Sequence, residues 1–392
     1  MSEAALAVDP ARRLEALLSR RTEANQRFFG RDAERLARLC HLMAERFARG
    51  GRLIAFGRSP ADRSDARHVA VEFVHPVIVG KRALPALAFT GEGGDPAAQV
   101  SLIAAPDDVA MGFGTDCERA IAVARGRRCL TIAFAPAGAE WEFEPPTSDP
   151  FVRQELIETL YHVLWELVHV FFEHRGLLEG RTERRVHDAG ASSFLYPFLD
   201  ERESDLDAVL EDVRRSVLMK AAEVGALREQ TLMDNASVLM DAAGALRASF
   251  KRGGKLLALG NGGSATDAMD VVADFHAGGR PAIDLTEDPG ILTAIANDIG
   301  VEAIFSRQVI AYGAPGDVVL ALSTSGNSGN VIHALAEARR RSLVTIAMVG
   351  YDGGRVLGEG LADHVVVTRS EHIPRIQEAQ ASAYHALVEL VG

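Results

Sequence analysis

The chain has 392 residues, 47% of them hydrophobic, and a formal net charge of −12. That length suggests two or three domains with ordinary cores, and the acidic balance, without a long Lys/Arg block, argues against nucleic-acid or anionic-membrane partners. Three cysteines without metal-ligand spacing, no apolar run near the roughly 20 residues of a membrane span and no signal-peptide pattern in MSEAALAVDPARR lead us to expect a reduced, cytoplasmic setting.

In chain order, residues 10–49 carry a helical pattern and lead into GGRLIAFG (50–57), an apolar strand that ends in glycine. DARHVAVEF (65–73) follows, then GTDCER (114–119), then QELIETLYHVLWELV (154–168), a helix with a start signal in Asp149 and Pro150. Trp141 and Trp165 are expected in a core or interface. Residues 173–205 are polar and glycine-bearing, with one aromatic patch, and read as a linker. The next 45 residues are helical, with apolar positions recurring at three and four. The second half then repeats the first. GGKLLALG (253–260), DAMDVVADF (267–275) and QEAQASAYHALVELV (377–391) match the earlier segments in the same order. The strands LLALG, AIDL, VVLALS, VTIAMVG and HVVVT alternate with helices that start after SATDA, near PGILTAIAND, after GNVI and at PRIQEA. Such alternation predicts a parallel sheet with helices on both faces and ligands beyond the carboxyl ends of the strands.

Two loops stand at such ends. STSGNS (323–328) puts Ser323, Thr324, Ser325 and Ser328 where a strand becomes a helix. Free N–H groups and small hydroxyl side chains there suit an anion, and a phosphate cradle needs no lysine. GNGGSATDA (260–268) also fits G-x-G-x-x-A through Gly260, Gly262 and Ala265, with Asp284 following. A dinucleotide reading of this weak motif leaves the hydroxyl loop without a role. The runs RRR (339–341) and RTERR (181–185) are expected to be solvated faces.

GNGGSATDAMD, IANDIGVEAIFSRQV, STSGNSGNVI and RIQEAQ together resemble the sugar isomerase (SIS) domain family, and within it the phosphoheptose isomerases. The resemblance covers nearly all of 205–392 and, more faintly, about 10–175. It implies two tandem SIS domains, residues 1–175 and 205–392 with a linker at 176–204, each a three-layer αβα sandwich with a parallel, flavodoxin-like sheet. It implies substrate contacts at Asn261, Gly262, Gly263, Ser264, Asn297, Asp298, Ser323, Thr324, Ser325, Ser328 and Gln377. It also implies a metal, usually zinc. The family's four ligand positions hold Asp270, Asp274, Gln377 and His385 in the second copy, where two depart from the His and Glu of the pattern. Asp274 is one methylene shorter than the family's catalytic glutamate, and Pro374 stands where an acidic residue is usual. The first copy carries His68, Glu72, Gln154 and His162, a full match. A spacing of four puts His68 and Glu72 on one helical face. Its GTDCER loop, however, offers Asp116 and Glu118, which repel a phosphate, and GRSPADRSD lacks the double glycine.

The expected activity is therefore an aldose–ketose isomerisation of a sugar phosphate through an enediolate, with sedoheptulose 7-phosphate as the implied substrate. The second copy would hold the phosphate. Proton transfer would fall to Glu72 with His162, beside the metal, or to Asp274 with His385. By the family's habit of forming homotetramers, two chains would pair into a pseudo-tetramer of domains. A non-catalytic sugar-phosphate sensor or adaptor is the alternative, because each copy has lost part of the family's set. His276, near Asp274, is a further candidate for a metal site.

Overall fold

The computed structural model describes residues 10–77, 81–173 and 205–392. The interior of the expected linker, RTERR included, lies outside them. Two compact units divide the chain: residues 24–222, here the N-terminal unit, and 223–392 together with the start of the chain to residue 23, here the C-terminal unit.

The N-terminal unit contains most of α1 (Pro10–Ala48), then β1 (Leu53–Phe56), α2 (Pro60–Val74), β2 (Ala86–Phe89), α3 (Pro96–Ile103), β3 (Val109–Gly112), α4 (Glu118–Gly126), β4 (Leu130–Ala133), β5 (Trp141–Glu142), α5 (Pro150–Glu173) and the first part of α6 (Leu206–Asp234). The C-terminal unit continues with the rest of α6, α7 (Ala236–Lys251), β6 (Leu256–Leu259), α8 (Gly263–Ala277), β7 (Ala282–Asp284), α9 (Pro289–Asp298), α10 (Ile304–Tyr312), β8 (Val318–Ser323), α11 (Gly329–Arg340), β9 (Val344–Gly350), α12 (Gly354–Gly358), β10 (His364–Thr368) and α13 (Ile373–Val391). Each unit has a five-stranded sheet, in the orders β2-β1-β3-β4-β5 and β7-β6-β8-β9-β10. Every pairing is parallel. Numbered within its own unit, each sheet reads 2-1-3-4-5, the flavodoxin-like order.

Both faces of each sheet are covered, as parallel strands require. Along β1, Leu53 and Ala55 enter one core while Ile54 and Phe56 enter another. Along β6, Leu256 and Ala258 face one core, and Leu257 and Leu259 the opposite one. This period of two is the pleat itself.

Several helices start by one device, a capping side chain before proline. Ser59 accepts from the Asp62 N–H ahead of α2 (3.2 Å), and Asp288 from the Ile291 N–H ahead of α9 (3.0 Å). Asp149 accepts from the N–H groups of Phe151 and Val152 (3.1 and 3.2 Å), so the start expected at Asp149–Pro150 is where α5 begins. The helix expected after SATDA starts earlier, at Gly263, because the double glycine itself makes the turn. The long helical stretch after 205 breaks at Asn235. Its Oδ1 accepts from the Val367 N–H and its Nδ2 donates to Val367 O, both at 3.0 Å, so one side chain pairs with β10 as a strand would. Trp165 is fully buried and Trp141 packs on Phe143. Arg340 and Arg341 pair with Glu337 on an exposed helix face.

Candidate functional site

In the C-terminal unit, β6 and β8 are adjacent, with Leu259 beside Ala321. The loops that follow them, 260–263 and 323–328, are therefore neighbours. They are tied by a reciprocal amide pair: Asn261 Nδ2 donates to Asn330 Oδ1 (3.0 Å) and Asn330 Nδ2 to Asn261 Oδ1 (2.9 Å). Asn261, expected to touch substrate, thus joins the two loops, and its partner Asn330 was not singled out from the sequence. Gly262 caps α8 at φ 58°, ψ −126°, a conformation open only to glycine. Ser264 is buried in the first turn of α8, where a Cβ on Gly260 would lie 2.2 Å from its carbonyl oxygen.

The hydroxyl loop is pre-formed. Ser323 Oγ accepts from the Gly326 N–H (3.2 Å) and lies 3.4 Å from Ser328 Oγ, while Ser325 Oγ accepts from the Asn327 N–H (3.1 Å). Ser328 is the N-cap residue of α11 and makes no side-chain capping bond itself. The helix's positive end thus faces small hydroxyl side chains. A second glycine-rich turn props the loop from behind. Gly350 N–H donates to Thr324 O (3.0 Å), Arg355 N–H to Asn327 Oδ1 (2.9 Å) and Val356 N–H to Gly326 O (3.1 Å). A Cβ on Gly326, at φ 62°, would stand 2.3 Å from Gly353 O. The signal for this support was present in Gly350, Gly353 and Gly354 after an apolar strand, but it resembled an ordinary strand exit.

An open groove of about 630 Å³ runs along the strand ends, lined by Ser325, Asn327, Tyr351, Asp352, Arg369, Ser370 and Glu371. Tyr351 sits at φ 53°, which is rare for a bulky side chain and marks a functional or strained position. Glu302 reaches the same end of α11: its carboxylate lies 2.0 Å from where a Cβ on Gly329 would be. Asn297 and Asp298 are exposed at the end of α9, with Asn297 Nδ2 donating to Asp298 Oδ1 (2.7 Å).

Further along the same unit, His385 on α13 is fully buried and its Nε2 lies 3.5 Å from Asp274 Oδ2 on α8, which keeps 15% of its surface exposed. Gln377 and Asp270 are buried on the same two helices. His276 does not join them; its Nε2 meets Ala282 O at 2.9 Å, a bond inside the α8–β7 turn. Asp284 accepts from the Thr286 hydroxyl and N–H (2.6 and 2.7 Å). It closes its own turn, which disfavours the dinucleotide reading.

The N-terminal unit is built the opposite way. The place equivalent to the hydroxyl loop is a cavity of about 30 Å³ with Asp95, Asp116, Arg58 and Arg119 in its lining. The charges there answer one another, Arg58 with Asp95 and Asp116, and Arg119 with Asp95. Asp62, bonded to the Ser59 hydroxyl, puts its carboxylate 2.2 Å from where a Cβ on Gly114 would be. Burial first, with Asp116 adding repulsion, raises its pKa. The carboxyl group thus stands beside the first residue of GTDCER, which has no hydroxyl where the C-terminal unit has Ser323.

Behind it, α2 and α5 bring His68 and His162 together, Nε2 to Nε2 at 3.4 Å, with Glu72 Oε1 3.9 Å from His68 Nε2. Glu158 joins them, so that one ligand atom each of His68, Glu158 and His162 lie within 4.8 Å of one another. Burial, then the neighbouring His162, lowers the His68 pKa well below its usual value. Gln154, expected in this set, is 8% exposed, and its Nε2 has no hydrogen-bond partner among the described residues. Glu158 was missed in the sequence, although it stands four residues before His162 and four after Gln154 on one helical face. The donor types suit a divalent metal.

The family described as SIS domain matches residues 221–350. Phosphoheptose isomerase of Chlorobium phaeobacteroides is 41% identical over 202 residues, 49% of this chain and 85% of that protein. Phosphoheptose isomerase of Trichlorobacter lovleyi is 46% identical over 149 residues, 36% of this chain and 75% of that protein. Among solved structures, the C-terminal domain of glucosamine-fructose-6-phosphate aminotransferase from Francisella tularensis aligns with 100% of this chain and 97% of its own, at TM-score 0.62 and 9% identity, a likeness of fold alone. On these identities and spans, the chain belongs to the SIS domain family, as a relative of the phosphoheptose isomerases.

Proposed function

We propose that the protein is an aldose–ketose isomerase of a sugar phosphate, with sedoheptulose 7-phosphate as its substrate and the C-terminal unit as its reacting site. The observation that carries this reading is the propped hydroxyl loop at the start of α11, beside an open groove. Its counterpart in the N-terminal unit, GTDCER, has one hydroxyl, Thr115, and carries Asp116 and Glu118. Ser323, Thr324, Ser325 and Ser328 grip the phosphate, and the backbone around Gly262 and Gly263 borders the chain of the sugar. A phosphate held firmly fixes the reacting carbons against the catalytic groups, which is where such enzymes gain most from binding.

Asp274 and His385 then act as base and acid. One takes the proton at C1 or C2, and the other serves the oxygens as the enediolate forms and collapses. Each such group contributes about 10²–10⁴-fold. Gln377, buried on the same helix as His385, holds the sugar oxygens. We assign the proton transfers to this pair rather than to Glu72 with His162, because Asp274 keeps an exposed edge and shares its unit with the cradle. A zinc ion, where bound, would supply positive charge to the N-terminal cluster. A cytoplasmic setting is part of this proposal, on the cysteine usage read from the sequence; among the described residues no helix is long and apolar enough to cross a membrane. Two chains associate, a reading supported by Ile299 and Val301, which leave 57% and 62% of their surfaces exposed.

The test is turnover of sedoheptulose 7-phosphate by the full chain. His385→Ala and Asp274→Asn should each lower kcat by about 10²-fold or more, and Ser325→Tyr should abolish binding. Wild-type protein without turnover, but stabilised against heat by the sugar phosphate, would move the reading to the sensor alternative. Turnover untouched in all three variants would remove the C-terminal unit from the chemistry.

A further inference from the structure

We propose that Arg369, at the exit of β10, is a binding residue for the phosphate held on the hydroxyl loop. It supplies the positive charge that the loop lacks, and so sets how tightly a sugar phosphate is held. This rests on the reading of the loop given above and adds a side chain that lies outside the matched motifs.

The strand register places it. Ser323 is registered with Val349, and Gly350 with Thr368. Gly350 N–H donates to Thr324 O (3.0 Å), which carries the first register one residue past β8. Ser325, Tyr351 and Arg369 are therefore the next residues out of β8, β9 and β10, on neighbouring strands about 4.7–4.9 Å apart. Tyr351, at φ 53°, turns the chain back at once, and Gly353 N–H closes that turn on Gly350 O (2.9 Å). The exit of β9 is thus short, and the groove of about 630 Å³ opens there with Ser325, Tyr351 and Arg369 all in its lining. Gly262 and Gly263 follow β6, on the opposite side of β8 from β9 and β10. A phosphate on the loop then has the sugar chain on one flank and Arg369 on the other.

The charges give Arg369 its role. The loop offers hydroxyls and backbone N–H groups, none of which carries a full charge. Its surroundings are acidic: Glu302 reaches the start of α11, and Asp352 and Glu371 line the groove. Among the described residues in that lining, Arg369 is the one cation. Arg355 is paired with Glu359, and Arg375 with Glu378. Arg369 is exposed and has no ion pair or hydrogen bond among the described residues, although it shares the groove with two carboxylates. A guanidinium stays charged at any working pH, and its planar fork matches two phosphate oxygens. It also draws a dianion past Glu302, an effect that salt screens. A solvated surface side chain is the competing account.

The experiment uses the full chain and two readouts: turnover of sedoheptulose 7-phosphate, and calorimetric titration with inorganic phosphate. Arg369→Ala should raise KM about tenfold or more, with kcat within twofold of wild type, and should weaken phosphate binding in parallel. The KM ratio should shrink between about 0.1 and 1 M salt, as the screening length falls from about 10 to 3 Å. Arg369→Lys should fall between the two, since it keeps the charge and loses the fork. Arg252→Ala removes the same charge at the amino end of β6 and should leave KM within twofold. Equal KM and equal phosphate affinity in wild type and Arg369→Ala would overturn the proposal in favour of the solvated side chain. A rise in KM as large in Arg252→Ala would overturn it in favour of net charge, and a fall in kcat at constant KM would overturn the binding role. Wild type that neither turns over nor binds phosphate would overturn it as well. Turnover without any effect of Arg369 removes this inference and leaves the isomerase reading standing; phosphate binding that depends on Arg369 in a chain without turnover does the reverse.

Discussion

Gly326 shows how much of the candidate site is decided by what a residue lacks. Its φ of 62° and the 2.3 Å left to Gly353 O admit no side chain. Gly326→Ala is expected to disturb the hydroxyl loop and weaken sugar-phosphate binding at least about tenfold by calorimetry, because strain and backbone clash fall on the cradle itself. At the mouth of that cradle, the Glu302 carboxylate repels an incoming anion. Glu302→Gln should therefore bind the sugar phosphate severalfold tighter, with the gain shrinking as salt rises. In the other unit, His169 is pushed down to about 4 by burial, then by the charge of Lys81, against the raising effect of two carbonyls. Its folded pKa lies below its unfolded 6.5, so the unfolded state takes up the proton first. This contribution to stability is complete above pH 6.5 and is lost as pH falls toward 4. Denaturant midpoints measured across that window should fall in the wild type and fall less in His169→Gln. At this scale the hydroxyls and glycines were legible because few residue types tolerate those turns. Glu158, Asn330 and Asp62 were not, because their meaning depends on a partner from another element.

Among the elements, the five strands of the C-terminal unit were read nearly to their ends, whereas α8 begins before the SATDA segment and α11 at the GNVI segment expected to precede them, and α10 and α12 were not read. Short apolar runs bounded by glycine, and caps placed before proline, are local signals. The break between α6 and α7 was not legible, since Asn235 sits in an otherwise unbroken helical period and acts on a strand 132 residues away. Replacing it by alanine would strand a buried N–H and a buried C=O of Val367. Each lost partner costs about 1–3 kcal/mol, so Asn235→Ala should lower unfolding free energy by at least about 2 kcal/mol in denaturant titrations. An unchanged midpoint would mean that water or a shifted β10 replaces the amide. The α9 helix carries an apolar sequence yet has no buried residue. Periodicity identified its helical form, but could not tell whether the covering surface belongs to this chain or to a second copy.

For the whole molecule, the internal repeat predicted two related sheets, and both have the same strand order. The exchange at the chain's start was hidden. Leu14, Leu17 and Leu18 of α1 enter the core that contains Leu256, Val318 and Leu387, whereas α1 from Ala24 onward enters the N-terminal unit's core. Helical period shows which face is apolar, not which core receives it. Leu17→Ala should cost about 2–5 kcal/mol, and hydrogen exchange should rise in peptides of 223–392 rather than in those of 24–222. The repeat also frames the proposed division of labour. One copy has the hydroxyl loop, with Asp270 and Asp274 where the other has His68 and Glu72; the other has GTDCER where the first has STSGNS. The account turns on chemistry in the copy with the cradle. Its most direct test is proton exchange at the reacting carbons, followed by NMR with sedoheptulose 7-phosphate in deuterated water. Deuterium should enter at C1 or C2 with the wild-type chain and not with Ser325→Tyr or His385→Ala. Incorporation that continues undiminished in both variants would contradict the account.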